Sequence, residues 1–258
     1  MTGNQQGSNF SACAIIPVYN HHLVLEQTCA ALLDKGLPVI LVDDASDRDC
    51  ASILQGLAQN NRDIQLVVHR KNRGKGGAVK TGLAAAQRSG FSHALQVDAD
   101  GQHCLQDVER FIGLARQNPD ALILGHPVYD NSVPRLRYYA RYLTHIWIWI
   151  NTLSTEILDS MCGFRVYPTA HSCALLAQAR MGERMEFDPE FSVRWHWANL
   201  PLVQCETAVS YPADGLSHFR LWEDNVRISL MHARLFAGMI FRLPRILWRR
   251  LHSVGAPA

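Results

Sequence analysis

With 258 residues, 48% of them hydrophobic and 19% charged, the chain can bury one sizeable globular core and is neither disordered nor fibrous in composition. A formal net charge of only +2 lacks the broad positive field of a nucleic-acid binder, which sets nucleic acid aside as a partner. Seven scattered cysteines without a CxxC pair suit neither a disulfide framework nor a zinc site.

The opening MTGNQQGSNFSA has no basic stretch followed by an apolar run, so no secretory leader and a cytoplasmic location are expected. From Ala12 to about Gly125 short β-rich runs alternate with helical patterns. Strands are predicted over 13–19, 39–44, 64–69, 94–98 and 121–125, with helices near 22–35, 49–60, 77–89 and 105–117. This is the rhythm of right-handed βα units, and it predicts an α/β, Rossmann-like, mostly parallel central sheet flanked by helices. After residue 130 the character changes. Residues 135–153 make a long helical pattern with apolar residues on more than one face, expected to be buried, paired or lying on a membrane. MCGFRVYP (161–168), a helix over 188–198 opened by DPE, and an alternating strand over 202–211 follow.

Residues 230–251 mix apolar side chains and Trp248 with Arg234, Arg242, Arg245, Arg249 and Arg250. That composition suits an interfacial helix drawn to anionic headgroups; the alternative is a helix packed on the domain with an arginine-rich outer face. No run reaches the roughly 18 to 20 apolar residues needed to cross a bilayer. The net charge is −2 up to residue 130 and +4 after it, and all four lysines lie in the first third. Every later cation is therefore arginine, the residue suited to phosphate or carboxylate recognition.

Several predicted strands end in polar residues: Asn20, then Asp43 and Asp44, then Asp98 and Asp100. In doubly wound sheets the ligand crevice lies beyond the carboxyl ends of the strands, so one site is expected there. In Asp98-Ala99-Asp100, followed by Gln102 and His103, two carboxylates at a strand end can turn toward one Mg²⁺ or Mn²⁺ ion that bridges a diphosphate. The same motif also reads as a turn capping a helix near Leu105. In VDDAS one carboxylate can accept from a base imide or a ribose hydroxyl, while Asp44, Ser46 or Asp47 can cap a helix. The loop NRGKGGAVKTG (72–82) offers glycines for close backbone approach to phosphates and Lys75 as a point charge. Val79 stands at the third glycine position of GxGxxG and no GxxxxGK[ST] aligns, which disfavours dehydrogenase and ATPase readings. Asp188-Pro189-Glu190 is a complete helix-start signal and equally a source of a carboxylate base, with Glu186 a further contender.

Taken in order, IIPVYN (15–20), LVDDAS (41–46), NRGKGGAVKTG (72–82), VDADGQH (97–103), CGFRVYP (162–168) and FDPE (187–190) resemble family 2 glycosyltransferases. The chain looks most like the branch that holds dolichyl- and polyprenyl-phosphate sugar synthases, over about Cys13 to Tyr211. The resemblance implies a GT-A fold with a nucleotide-sugar-binding half (12–130), an acceptor-side half of mixed structure (131–228) and a helical, basic C-terminal segment (229–258). It implies that Pro17 and Tyr19 line the nucleotide, that Asp44 holds the base, and that Asp98 and Ala99 approach the ribose and diphosphate. Asp100 and Gln102, with Asp98, would ligate Mg²⁺ or Mn²⁺. Arg165 and Arg220 would face phosphates, the latter from the segment GLSHFR (215–220).

Inverting transfer from a nucleotide-diphosphate sugar to a lipid-linked or membrane-proximal acceptor, at the inner face of the cytoplasmic membrane, is the implied activity. If the acceptor is a hydroxyl, Asp188 or Glu190 would take its proton; a phosphate acceptor needs no base. Two departures stand out: His21 and His22 follow Asn20 where relatives usually carry an acidic residue, and the block 215–236 is not a multi-span membrane extension. That block resembles small bacterial members of lipid or aryl-polyene pathways more weakly. The competing readings are a sugar-phosphate nucleotidyltransferase and a catalytically silent scaffold of a lipid-pathway complex.

Overall fold

The computed structural model describes residues 10–128, 135–209 and 220–253. Its frame is a seven-stranded sheet in the order β3-β2-β1-β4-β6-β5-β7. β1 (Ala12–Val18), β2 (Val39–Asp43), β3 (Ile64–Val68) and β4 (His93–Gln96) pair in parallel. β6 (Arg165–Pro168) runs antiparallel between β4 and β5 (Leu122–Val128), and β7 (Leu202–Ala208) closes the edge parallel to β5. The two sequence halves thus share one sheet, with β6 inserted between strands of the first half.

The period-2 alternation of the strands sorts the core into two layers. Cys13 and Ile15 of β1 and Ile40 and Val42 of β2 face α3 (Lys75–Arg88), α6 (Thr169–Gln178), α7 (Phe187–Trp197) and α8 (Leu221–Ser253). Ala14, Ile16 and Leu41 face α1 (Leu25–Asp34), α2 (Arg48–Asn60) and α4 (Val108–Gln117). α5 (Arg135–Thr152) packs through Ile148 into the first layer.

Four elements differ from the sequence expectation, α8 among them. β4 ends at Gln96, so Asp98 and Asp100 lie in the loop beyond it. α6 had no apolar period to announce it, because Thr169, Ser172 and Leu175 together form its buried side. α7 begins at Phe187 with Glu186 at its N-cap and no side-chain cap, so Asp188 sits in the first turn and is not the capping residue. In α2 the cap is Asp47, whose carboxylate accepts from Cys50 N.

α8 starts at Leu221, earlier than the pattern near residue 230 indicated. Ile228, Met231, Leu235, Met239 and Ile246 are buried against the domain. The opposite face is apolar too: Trp222 (82% exposed), Leu230, Ile240, Phe241 (86% exposed), Leu247 and Trp248 all meet solvent. By helical spacing Arg227, Arg234 and Arg245 fall along one flank, so among the described residues the outer face is apolar where the alternative expected arginine. No helix among the described residues is long and apolar enough to cross a membrane.

Candidate active site

The loops after β1 and β2 are fixed by their own polar groups. Asn20, at φ +53, accepts from Asp47 N at 2.8 Å and donates its own N–H to Ser46 Oγ at 3.2 Å. Asp43 accepts from Ser46 N at 2.8 Å. Asp44 is 2% exposed, and both its oxygens are taken up: Oδ1 accepts from Arg73 N at 2.8 Å and meets His69 Nδ1 at 2.7 Å, while Oδ2 accepts from Gly74 N at 2.6 Å. The carboxylate therefore pins the glycine-rich loop to the end of β2.

The glycines of that loop serve a contact within the chain. A Cβ on Gly74, which sits at φ +88, would lie 2.5 Å from the side chain of Arg184, and one on Gly76 would lie 2.3 Å from Phe187 Cβ. Gly77 N donates to Glu183 O at 2.8 Å. Backbone approach that the sequence suggested for phosphates is thus used against residues 183–187. It brings the N-termini of α3 and α7 together, and with them Lys75 and Asp188.

Lys75 Nζ lies 2.7 Å from Asp98 Oδ2 and 3.3 Å from Asp188 Oδ2. Asp98 Oδ1 accepts from Gln96 Nε2 at 3.2 Å, and Gln96 Oε1 accepts from Tyr167 OH at 2.9 Å. His103 Nε2 is 3.3 Å from Asp98 Oδ2 without hydrogen-bond alignment, its ring tilted on Phe164 at 5.1 Å. Burial works against both charges of the Lys75 and Asp98 pair and their attraction outweighs it: the Asp98 carboxyl is held below its ordinary range and the Lys75 ammonium above its own. Gly163 passes so close that a Cβ there would sit 2.3 Å from Asp98 Oδ2. Asp188 is buried, and its Oδ1 has no hydrogen-bond partner among the described residues.

Other expected site residues are placed elsewhere. Arg165, expected to face phosphate, is instead wholly buried: Nε donates to Cys162 O at 2.6 Å, Nη1 to Asp188 O at 3.0 Å and Ser192 Oγ at 3.2 Å, and Nη2 to Ser160 O. It ties the loop before β6 to α7. Asp159, close by in the same loop, takes Arg141 at 2.6 and 2.7 Å. Glu190 is 0% exposed and accepts from Arg194 Nε at 2.8 Å, Gly182 N at 2.9 Å and Arg234 Nη2 at 2.7 Å. The two carboxylates of the DPE motif thus diverge: Asp188 faces Lys75, and Glu190 braces α7 against α8. Arg220 is exposed at the head of α8, 3.1 Å from Glu223, while 215–219 lie outside the described residues, as does Tyr211. Pro17 pairs with Val42 within the sheet, and Tyr19 lies just past the strand end, partly exposed.

Asp100 accepts from Gln102 N at 3.0 Å, which turns the loop after Ala99. Asp98, Asp100 and Gln102 offer oxygen donors only. Among the described residues no three His, Cys, Asp or Glu side chains converge on a common point. Such a short oxygen set fits Mg²⁺ or Mn²⁺, which keep several waters and are completed by substrate phosphates. Gln96, Gly163 and Tyr167, which support Asp98, were not singled out by the sequence. Gly163 lies in CGFRVYP, whose glycine signals a close backbone approach.

The family model described as Glycosyl transferase family 2 matches residues 13–179. The chain belongs to this family. It is a glycosyltransferase, which removes the nucleotidyltransferase alternative. Curated relatives include the dolichyl-phosphate beta-glucosyltransferases of Dictyostelium discoideum, 27% identical over 79% of this chain and 67% of that protein, and of Homo sapiens, 26% identical over 74% and 64%. The chain spans about two thirds or less of the length of such relatives. Among solved structures it is similar to glucosyl-3-phosphoglycerate synthase from Mycobacterium tuberculosis in complex with Mn²⁺, UDP-glucose and phosphoglyceric acid, at a TM-score of 0.63 and 15% identity over 91% of this chain and 80% of that one. The S. aureus TarS in complex with UDP-GlcNAc gives a TM-score of 0.60 and 15% identity over 92% and 72%. The seven-stranded sheet with its flanking helices is the GT-A fold these glycosyltransferases share.

Proposed function

We propose that this glycosyltransferase moves a sugar, with inversion, from a nucleoside-diphosphate sugar to a lipid-linked acceptor at the anionic inner face of the cytoplasmic membrane, with Mg²⁺ or Mn²⁺. The observation that carries the reading is the cluster of Lys75, Asp98 and Asp188 beside Asp100, where loops beyond β4, before α3 and at the head of α7 meet. The names of the dolichyl-phosphate relatives and the UDP-sugar and Mn²⁺ complexes of the structural neighbours support it.

Asp98, Asp100 and Gln102 would hold the divalent cation, which supplies charge neutralisation to a diphosphate leaving group. Lys75 places a further cation where that negative charge grows. Pro17, Tyr19 and Ala99 would border the nucleotide at the ends of β1 and β4. Asp44 is assigned to holding the glycine-rich loop, since its oxygens already accept from that loop, and Arg220 is the better-placed arginine for phosphate than the buried Arg165. For a hydroxyl acceptor Asp188 Oδ1, which accepts no hydrogen bond among the described residues and has Arg165 Nη1 3.7 Å away, would receive the proton; Glu190, bonded on both oxygens, would not. The apolar outer faces of α5 and α8, where Leu143, Ile146, Ile240 and Phe241 are exposed, would rest on the membrane.

A thermal-shift panel of UDP-, GDP- and dTDP-sugars with and without Mn²⁺ is expected to show stabilisation by one base in the presence of the ion. Turnover with that donor should release a nucleoside diphosphate. Silence of the whole panel would instead support the scaffold reading, and release of pyrophosphate would overturn glycosyl transfer.

A further inference from the structure

Lys75 and Asp98 form a close ion pair at the site, at 2.7 Å, and the pair uses the carboxylate that the metal-dependent reading above requires. Asp98 Oδ1 is held by Gln96, and Oδ2 faces both Lys75 and His103. A divalent ion bound through Oδ2 would share that oxygen with an ammonium group, and two cations on one oxygen repel strongly in a partly buried setting.

Which partner gives way follows from how each is held. Asp98 has little freedom, because the backbone at Gly163 packs against its carboxylate and Gln96, itself bonded to Tyr167, anchors the other oxygen. Lys75 carries a long flexible stem, and the loop has backbone fastenings besides its side chain. That fastening runs through Arg73 N, Gly74 N and Gly77 N, bonded to Asp44 and Glu183. The ammonium can therefore swing while the loop stays in place.

We propose that Lys75 is a displaceable counter-ion, holding Asp98 and Asp188 together in the donor-free protein and releasing Asp98 when a divalent cation binds. The inference rests on the metal-dependent reading of the site. It makes the protein its own competitor for the metal. The free site stays neutralised and selects against a cation arriving without a donor, whose diphosphate would offer the freed ammonium a new anion. By reciprocity, each of the two ligands then improves binding of the other.

The test is Mn²⁺ binding to the full-length protein without nucleotide, followed by the paramagnetic resonance of the free ion. Lys75→Gln should bind Mn²⁺ at least tenfold more tightly than the wild type. Arg73→Gln, which removes a nearby cation paired with Glu183 and not with Asp98, should change the affinity less than threefold. A second measurement needs no variant. Acylation of the wild type, mapped by mass spectrometry over its four lysines, should become at least threefold faster at Lys75 when Mn²⁺ is saturating, with Lys35 as the internal control.

An unchanged affinity in Lys75→Gln, an equal gain in Arg73→Gln, or a Lys75 acylation rate that Mn²⁺ leaves unmoved would each overturn the counter-ion role. Those results would leave metal-dependent donor binding standing wherever the donor panel shows it. Failure of both Lys75→Gln and the wild type to bind Mn²⁺, with or without a donor, would overturn both readings together.

Discussion

Around the N-terminus of α3 the buried ionisable groups are matched with opposite charge, Lys75 lying between Asp98 and Asp188. At the joint of α5 and α8 the arrangement is the reverse. His232 is buried beside Trp147, with Asn151 Nδ2 at 3.3 Å, and desolvation pushes its imidazole down to about 4. One region keeps its charge by pairing, the other stays packed by losing it. A paired carboxylate remains available to a cation that can outbid its partner, whereas a neutral imidazole between helices contributes packing and its hydrogen bond with Asn151.

The largest effect should come from the first region. Asp100→Ala should lower donor turnover by at least about a thousandfold, the loss of roughly 4 kcal/mol of transition-state stabilisation. Its melting temperature should stay close to that of the wild type, because Asp100 is only partly buried and the hydrogen bond it accepts from Gln102 N turns a loop. Steady-state kinetics with Mn²⁺ beside a thermal scan checks both. Full Mn²⁺-dependent activity in this variant would contradict the metal assignment.

Next comes acid. Unfolded, His232 binds a proton from about pH 6.5 downward; folded, it does so only near 4. Its contribution to stability is therefore complete above pH 6.5 and falls by about 3 kcal/mol as pH drops to 4. Asp98 behaves differently: its folded value lies below the ordinary 3.8, so its contribution is lost only as pH falls beneath that. Between pH 6.5 and 4.5 stability to urea should fall through His232 together with His93 of β4, whose imidazole burial also pushes down, and His232→Leu should flatten the slope in part. Identical pH dependence in the two proteins would remove His232 from the account.

The sequence made the first half of the fold legible because its strands alternate with helices at regular spacing and several of them end in polar residues. On that basis Asp100 falls past a strand and Asp98 at its last position, whereas β4 stops at Gln96 and leaves both in the loop. Legibility failed where function depends on pairs distant in the chain. Nothing in the sequence near Lys75 announces Asp188, since the pairing is set by glycines packing on residues 183–187. Arg165 misled for a related reason: spacing shows an arginine but not the carbonyls of Ser160, Cys162 and Asp188 that surround it. Asp188-Pro189-Glu190 read both as a helix start at 188 and as a source of a base, whereas the helix starts one residue earlier and its two carboxylates turn to different partners.

That divergence gives the next contrast. Glu190→Gln should cost about 2 kcal/mol, as expected for weakening buried hydrogen bonds to charged partners. For a domain of this size that lowers the melting temperature by about 4 to 8 °C. Its kcat should stay within about twofold of the wild type if Glu190 only braces α7 against α8, since it then makes no interaction special to the transition state. Asp188→Asn should do the opposite with a hydroxyl acceptor, lowering kcat while KM for the donor holds. If Glu190→Gln lost turnover at unchanged stability, the assignment of the two carboxylates would be reversed.

The smallest effects belong to the outer face of α8. Phe241 and Trp248 project away from the domain, and Arg245 lies on the flank of the same helix. If this face meets lipid, each exposed aromatic contributes about 1 kcal/mol of apolar transfer, so Phe241→Ser or Trp248→Ser should weaken sedimentation with anionic liposomes by about fivefold. Added salt should weaken binding of both the wild type and the variants, because the arginine contribution is screened. Donor-induced thermal shifts should be untouched, since neither residue contributes to the Lys75, Asp98 and Asp188 cluster. A variant that loses donor binding along with liposome binding would show that the two regions are coupled, and the separation drawn between them would have to be abandoned.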